Sequence, residues 1–238
     1  MKVAVGTSGY SYKEWKGSFY PPDLPADRML SYYARQFPTV EINNTFYRLP
    51  SESMLLEWAT QVPERFTFAI KASRRITHDR RLQDVGDLVD YLVRNVSVLG
   101  TRRGPLLFQL PPNLKKDLPR LEAFTSLLPA GWSIAIESRH PSWFADDVYE
   151  HLRSRGIALV TSEQEDENGA ASLVPTTDWG YLRLHRQGYG EAELHAWAER
   201  VRAQPWTECF VYFKHEEDIA GPAVAEAFRS VLGAAATA

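Results

Sequence analysis

The chain has 238 residues, of which 44% are hydrophobic and 24% charged, and its formal net charge is −3. That length suits one large domain or two small ones. The composition is ordinary for a soluble globular protein, and the slight acidity offers no global basic field to hold nucleic acid or an anionic membrane. The lone cysteine, Cys209, can form no internal disulfide, which points to a cytosolic protein. The N-terminus runs straight into a strand without an apolar leader core, and no run of about 18 apolar residues is present, so neither a secretory signal nor a membrane helix is expected.

In chain order, the first strand is Val3–Val5, ended by Gly6-Thr-Ser-Gly9, and a loop rich in aromatics follows through Tyr10, Tyr12, Trp15, Phe19 and Tyr20. A helix is predicted over residues 26–36, with Met29, Leu30 and Tyr33 inward. The second strand is Thr39–Asn43, and Ser51 is placed to cap a helix running to about Gln61. The third strand, Phe66–Lys71, exits into a basic loop holding Arg74, Arg75, His78, Arg80 and Arg81. A helix follows over residues 84–99, with Val85, Leu88, Leu92, Val96 and Leu99 at helical spacing. The fourth strand is Pro105–Leu110, before a helix over residues 117–128. The fifth strand begins at Ser133 and ends in Glu137, after which a helix runs to Arg155, stopped by Gly156. The sixth strand is Ile157–Thr161, the seventh Gly180–His185 and the eighth Glu208–Lys214. Helices are predicted over 191–203 and 222–232, and the tail beyond Gly233 is expected to fray.

Eight strands with helices in nearly every gap predict a single (β/α)8 TIM-type barrel, a closed eight-stranded parallel sheet, over residues 1–233. The competing open doubly wound sheet lacks its usual Gly-rich phosphate signature. Alternation along each strand then locates a site. Val40 and Ile42 face the helices, so Glu41 and Asn43 face in. The same reasoning turns Lys71, Gln109, Glu137, Arg183, His185, Tyr212 and Lys214 inward at the strand ends. In a barrel these ends open onto the loops that carry chemistry. The segment Ser133–Phe144 adds Arg139, His140 and Trp143 just beyond Glu137.

The chain resembles the DUF72, or YecE-like, family. The motifs that carry the resemblance are Gly6-Thr-Ser-Gly-Tyr-Ser-Tyr-Lys-Glu-Trp15, Val40-Glu-Ile-Asn-Asn-Thr-Phe-Tyr-Arg-Leu-Pro50, Phe68-Ala-Ile-Lys-Ala72 with Ile76-Thr-His78, Gly104–Pro112, Ile136–Phe144, Tyr181–His185 and Val211–Phe213. The resemblance implies a TIM-type barrel with polar residues at its strand ends and names no reaction. A sugar-isomerase-like grouping is fold-level analogy. The chain departs from the family pattern after the eighth strand, at Lys214–Asp218, and after the sixth, at Ser162–Asp166.

Several chemistries suit these residue types. Glu137 is the candidate acid/base, its pKa raised by burial and lowered by Lys71 or Arg139. Glu41 and Glu137, on strands far apart around the barrel, would form a glycosidase-type pair with an inverting separation. Tyr10, Tyr12 and Trp15 would stack on sugar faces. Lys71, if desolvated, would form a Schiff base. Glu41, Glu137, His140 and His185 are donor types that hold a divalent metal, although no ligand spacing indicates one. The expected function is an enzyme, a hydrolase or an isomerase/lyase, acting on a small sugar-like or phosphorylated molecule. The catalytic candidates are Glu137, Lys71, His185 and Glu41. Asn43, His78, Gln109, Arg139, His140, Trp143, Arg183, Tyr212, Trp15 and Tyr10 are the candidates for binding substrate. The alternative is a non-catalytic protein that grips phosphate or nucleic acid with the basic loop after the third strand, a reading the net charge disfavours.

Overall fold

A computed structural model describes residues 1–163, 172–186, 188–214 and 221–233. Nine strands form one sheet: β1 (Lys2–Ser8), β2 (Thr39–Ile42), β3 (Thr67–Lys71), β4 (Arg103–Gln109), β5 (Ile134–Glu137), β6 (Ile157–Leu159), β7 (Thr161–Glu163), β8 (Trp179–Leu184) and β9 (Glu208–Lys214). Every pairing is parallel. The order is β6-β5-β4-β3-β2-β1-β9-β8-β7. Apart from β6 and β7, which stand at the two ends of that order, each strand lies beside its neighbours in sequence, and β1 touches the last one. This is a sheet wrapped into a nearly closed barrel, whereas a doubly wound sheet reverses its order.

The expected eight strands become nine segments because the sixth changes partner at Val160. Residues 157–159 pair with β5, and residues 161–163 pair with β8. Inward parity continues through the break, since Ala158 and Val160 both pack inside the barrel.

Alternation divides the apolar residues into two cores. Ala4, Ala69, Leu107, Ala135, Ala158, Val160, Tyr181, Phe210 and Tyr212 plug the barrel interior. The opposite parity, with Val3, Val5, Val40, Ile42, Phe68, Ile70, Leu106 and Phe108, packs beneath the helices. The helices are α1 (Met29–Gln36), α2 (Glu52–Thr60), α3 (Gly86–Val96), α4 (Leu118–Ser126), α5 (Asp146–Arg155), α6 (Glu191–Arg202) and α7 (Gly221–Leu232).

Local signals set the helix ends. Ser51 Oγ accepts from Met54 N at 3.3 Å at the start of α2, and Asp117 Oδ1 accepts from Arg120 N at 3.1 Å at the start of α4. Gly156 stops α5 with a φ of 63°, a conformation that favours glycine. The helix predicted over 84–99 starts late because Asp84 has a positive φ and Val85 is non-helical. It continues into short 3-10 turns within Ser97–Arg102, broken at Gly100, whose φ is 53°.

The first strand extends to Ser8 rather than ending at Val5. A Cβ on Gly6 would lie 2.2 Å from Thr39 O, so glycine is what lets the strand run on beside β2. The aromatic loop after β1 does not line the barrel. Trp15 and Tyr20 are buried in the outer core among Tyr12, Phe19 and Tyr32. The tail 234–238 and most of the two departures from the family pattern, residues 164–166 and 215–218, lie outside the described residues.

Candidate active site

Parallel strands bring their C-terminal ends to one rim, and the inward residue at each end points at the axis. Six strands contribute. β1 supplies Ser8, β2 Glu41, β3 Lys71, β4 Gln109 and β5 Glu137, while β8 supplies Arg183 with His185 just beyond it. All seven are buried.

Arg183 is the hub. Its Nε and Nη2 donate to Glu41 Oε2 and Oε1 at 2.9 and 3.0 Å, and its Nη1 donates to Glu137 Oε2 at 2.6 Å. Glu41 also accepts from Ser8 Oγ at 2.7 Å, Asn43 Nδ2 at 3.0 Å and Tyr181 OH at 2.7 Å. Five donors exceed the four lone-pair sites of a carboxylate. Glu41 therefore has no oxygen left to attack an anomeric carbon, and one guanidinium spans both carboxylates that would have made a glycosidase pair.

Glu137 also accepts from Gln109 Nε2 at 2.8 Å and Arg139 Nε at 3.1 Å. Burial pushes its pKa up, but Arg183, Arg139, the Gln109 bond and Lys71 together win and bring it down to about 2. The same contest ends with Glu41 lowered, through Arg183, Tyr181 and Ser8. Both groups are anions at neutral pH, so Glu137 in this state does not donate a proton.

Lys71 Nζ donates to Gln109 Oε1 at 2.9 Å and lies 4.2 Å from the centre of the Phe46 ring. Burial, then the charge of Arg183, lowers its pKa to about 8 against the opposing pull of Glu41 and Glu137. His185 is held well below its ordinary value by burial and Arg183, so it is neutral. Its Nε2 lies 3.1 Å from Ser8 Oγ. The single hydroxyl proton of Ser8 goes to Glu41, an anion that can only accept. His185 must therefore donate from Nε2, which leaves Nδ1 as the unprotonated nitrogen.

The other expected residues divide by position. Asn43 joins the network. Arg139 forms its solvent side, with its side chain 32% exposed. His78 sits at the rim, edge-on to Phe46 at 4.9 Å, and its pKa is lowered by burial and Lys71. His140 turns Nδ1 back on Ser142, capping its own turn. Tyr212 lies deeper, with its OH 2.8 Å from Thr39 Oγ1. Trp143 is fully buried and donates from Nε1 to Leu114 O at 2.7 Å. Trp15 is fully buried too, and Tyr10 packs on the outer core beside Tyr33. The structure does not bring these last three rings to the network, because they fill space under the loops.

Two network members, Ser8 and Tyr181, escaped the candidate set. Tyr181 shares the inward parity of Arg183 and His185 on the same strand. Ser8 would have been found by continuing the alternation of β1 past Gly6. In the basic loop, Arg74 and Arg80 pair with Asp79 and Asp87 at 3.3 and 3.0 Å. Among the described residues no group of three His, Cys, Asp or Glu side chains is placed to hold a metal ion.

Known proteins share this architecture. The family described as "Protein of unknown function DUF72" matches residues 4–238. The chain belongs to the DUF72 family. It is 36% identical over 129 residues to the UPF0759 protein YecE of Escherichia coli K12, a match spanning 54% of the chain and 47% of YecE. To the UPF0759 protein YunF of Bacillus subtilis it is 26% identical, over 90% of the chain and 79% of YunF. A DUF72 family protein from Thermotoga maritima superposes with a TM-score of 0.82 at 28% identity, covering 98% of this chain and 99% of that one. A DUF72 family protein from Enterococcus faecalis shares the fold, with a TM-score of 0.80 at 19% identity over 97% of this chain and 95% of that one.

Proposed function

We propose that this DUF72 protein is an enzyme acting on a small polar substrate, sugar-like or phosphorylated, at the C-terminal mouth of the barrel. The observation that carries the reading is the charge balance of the buried network. Two carboxylates face three cations, Arg183, Arg139 and Lys71. Well-packed apolar residues would often stabilise a barrel interior as well as such an ion network does, and a cation surplus with one exposed arginine suits a substrate carrying phosphate or several hydroxyls. Ser162 Oγ, on β7 in register with Arg183, and Asn43 Oδ1 are buried without a partner among the described residues and remain for such a ligand.

In this reading Glu137 stays a carboxylate and orients Arg139 and Arg183 toward the substrate. Lys71 is the group that exchanges protons near neutral pH, and neutral His185 offers its unprotonated Nδ1 as a hydrogen-bond acceptor. The lone, buried Cys209 supports a cytosolic setting. No helix among the described residues is long and apolar enough to cross a membrane.

The alternative, phosphate or nucleic-acid binding by the loop after β3, is weakened by the pairing of Arg74 and Arg80 with acids of the same region. The test is a turnover screen of sugars, sugar phosphates and phosphoesters with the wild type and Glu137→Gln. Activity reduced by about 100-fold or more in the variant is expected. A wild type no more active than Glu137→Gln across the panel removes the reading.

A further inference from the structure

We propose that Lys71 is a covalent nucleophile that forms a Schiff base with the carbonyl group of an aldehyde or ketone substrate bearing hydroxyl or phosphate groups. This rests on the function proposed for the same site and adds the reacting atom and the substrate class.

Lys71 is the last residue of β3, inward-facing and 8% exposed. A structural lysine in that position is held as an ammonium by a carboxylate. Here the two nearby carboxylates are committed to Arg183 and Arg139, and among the described residues Lys71 forms no ion pair. Its partner is the neutral amide oxygen of Gln109. That choice is forced: Gln109 must turn its NH2 toward the anion Glu137, so its oxygen faces the amine. The amide orients Nζ without fixing its charge, and the Phe46 ring covers one side.

The charged groups around the amine are Arg183 from β8, Glu41 from β2, Glu137 from β5, and Arg139 and His78 from loops. With burial they bring its pKa to about 8. Roughly a tenth of the lysine is then free amine at pH 7, far more than for an ordinary lysine.

The free amine attacks the carbonyl carbon, and the C=O π pair moves to oxygen, which takes a proton. The nitrogen loses one proton to give a neutral carbinolamine. A further proton carries the hydroxyl away as water, and the nitrogen lone pair closes the C=N bond. Amine, carbonyl and one proton give iminium and water, with no change of oxidation state. Arg139 stands on the solvent side to hold a phosphate or hydroxyl of the incoming molecule.

The test incubates the full chain with glycolaldehyde phosphate, or glycolaldehyde as the phosphate-free arm, and sodium cyanoborohydride, whose hydride fixes the iminium as a secondary amine. Peptide mass spectrometry should find Lys71 modified about tenfold faster or more than exposed Lys115, with a rate that rises through pH 8. The Lys71→Arg peptide should stay unmodified. Gln109→Glu, which gives the ammonium an anionic partner, should slow the reaction about tenfold at pH 7. Modification of wild-type Lys71 no faster than Lys115 overturns the inference even if the variants misfold, and so does an unchanged rate in folded Gln109→Glu. A sugar phosphate that raises the wild-type melting temperature, loses that effect in Arg139→Ala and leaves Lys71 unmodified overturns this inference alone. If neither effect occurs, the proposed function falls with it.

Discussion

Arg183 grips Glu41 side-on, Nε to Oε2 at 2.9 Å and Nη2 to Oε1 at 3.0 Å. Both groups are almost wholly buried, with side chains 4% and 0% exposed. Bidentate geometry satisfies the planar fork and the planar carboxylate together, which a lysine cannot do. The remaining Nη1 reaches Glu137, so one positive charge serves two buried negative ones.

Arg183→Met is therefore expected to destabilise the protein by about 3–5 kcal/mol, since it leaves buried carboxylates uncompensated. Arg183→Lys should recover only part of that loss. Urea unfolding measures both, and a methionine variant within about 1 kcal/mol of wild type would show that the hub is dispensable.

Acid should unfold the protein through Glu137. Its folded pKa is depressed from 4.5 to about 2. The stability it contributes is therefore complete above pH 4.5 and is lost as pH falls toward 2. The size is on the order of 3 kcal/mol. Glu137→Gln should flatten the stability–pH curve within that window; a curve parallel to wild type would contradict it.

Ser8→Ala removes the hydroxyl that links Glu41 and His185, at a cost of about 1–2 kcal/mol. In the wild type, imidazole 15N shifts should show His185 protonated at Nε2 and neutral at pH 6, because its pKa is held well below 6.5. A signal for protonated Nδ1, or titration near 6.5, would refute the tautomer.

Trp143→Phe should cost about 1–2 kcal/mol through the lost bond to Leu114 O and the smaller ring. Modification of Lys71 should be unaffected. A large change in it would bring the indole back into the site.

Gly6→Ala places a methyl group 2.2 Å from Thr39 O. Neither backbone can move without parting β1 from β2, so a loss of about 3 kcal/mol or more in thermal or urea unfolding is expected.

The fold was legible because alternation and spacing are imposed by the backbone itself. Period two along Thr39–Ile42 turns Glu41 inward whatever its neighbours are, and the same holds for Lys71, Gln109, Glu137 and Arg183. Their pairings were not legible, because they depend on distances between strands far apart in sequence. Nothing local says that Glu41 collects five donors while Lys71 meets a neutral amide. Trp15 and Trp143 misled for another reason, since an indole near a strand end fits a core as well as a cleft. Gly6 reads as a strand terminator, yet here it permits the close approach that carries Ser8 to the rim. The break at Val160 leaves no mark, since valine suits a continuous strand equally well.

The hub also has a mechanical consequence. Strands β2, β5 and β8 are spaced around the ring, and the Arg183 bonds tie them to one another across its middle. Such a three-point brace resists flattening of the barrel into an oval. The cross-section is then fixed before any ligand arrives, and fitting to different molecules falls to the loops above the rim.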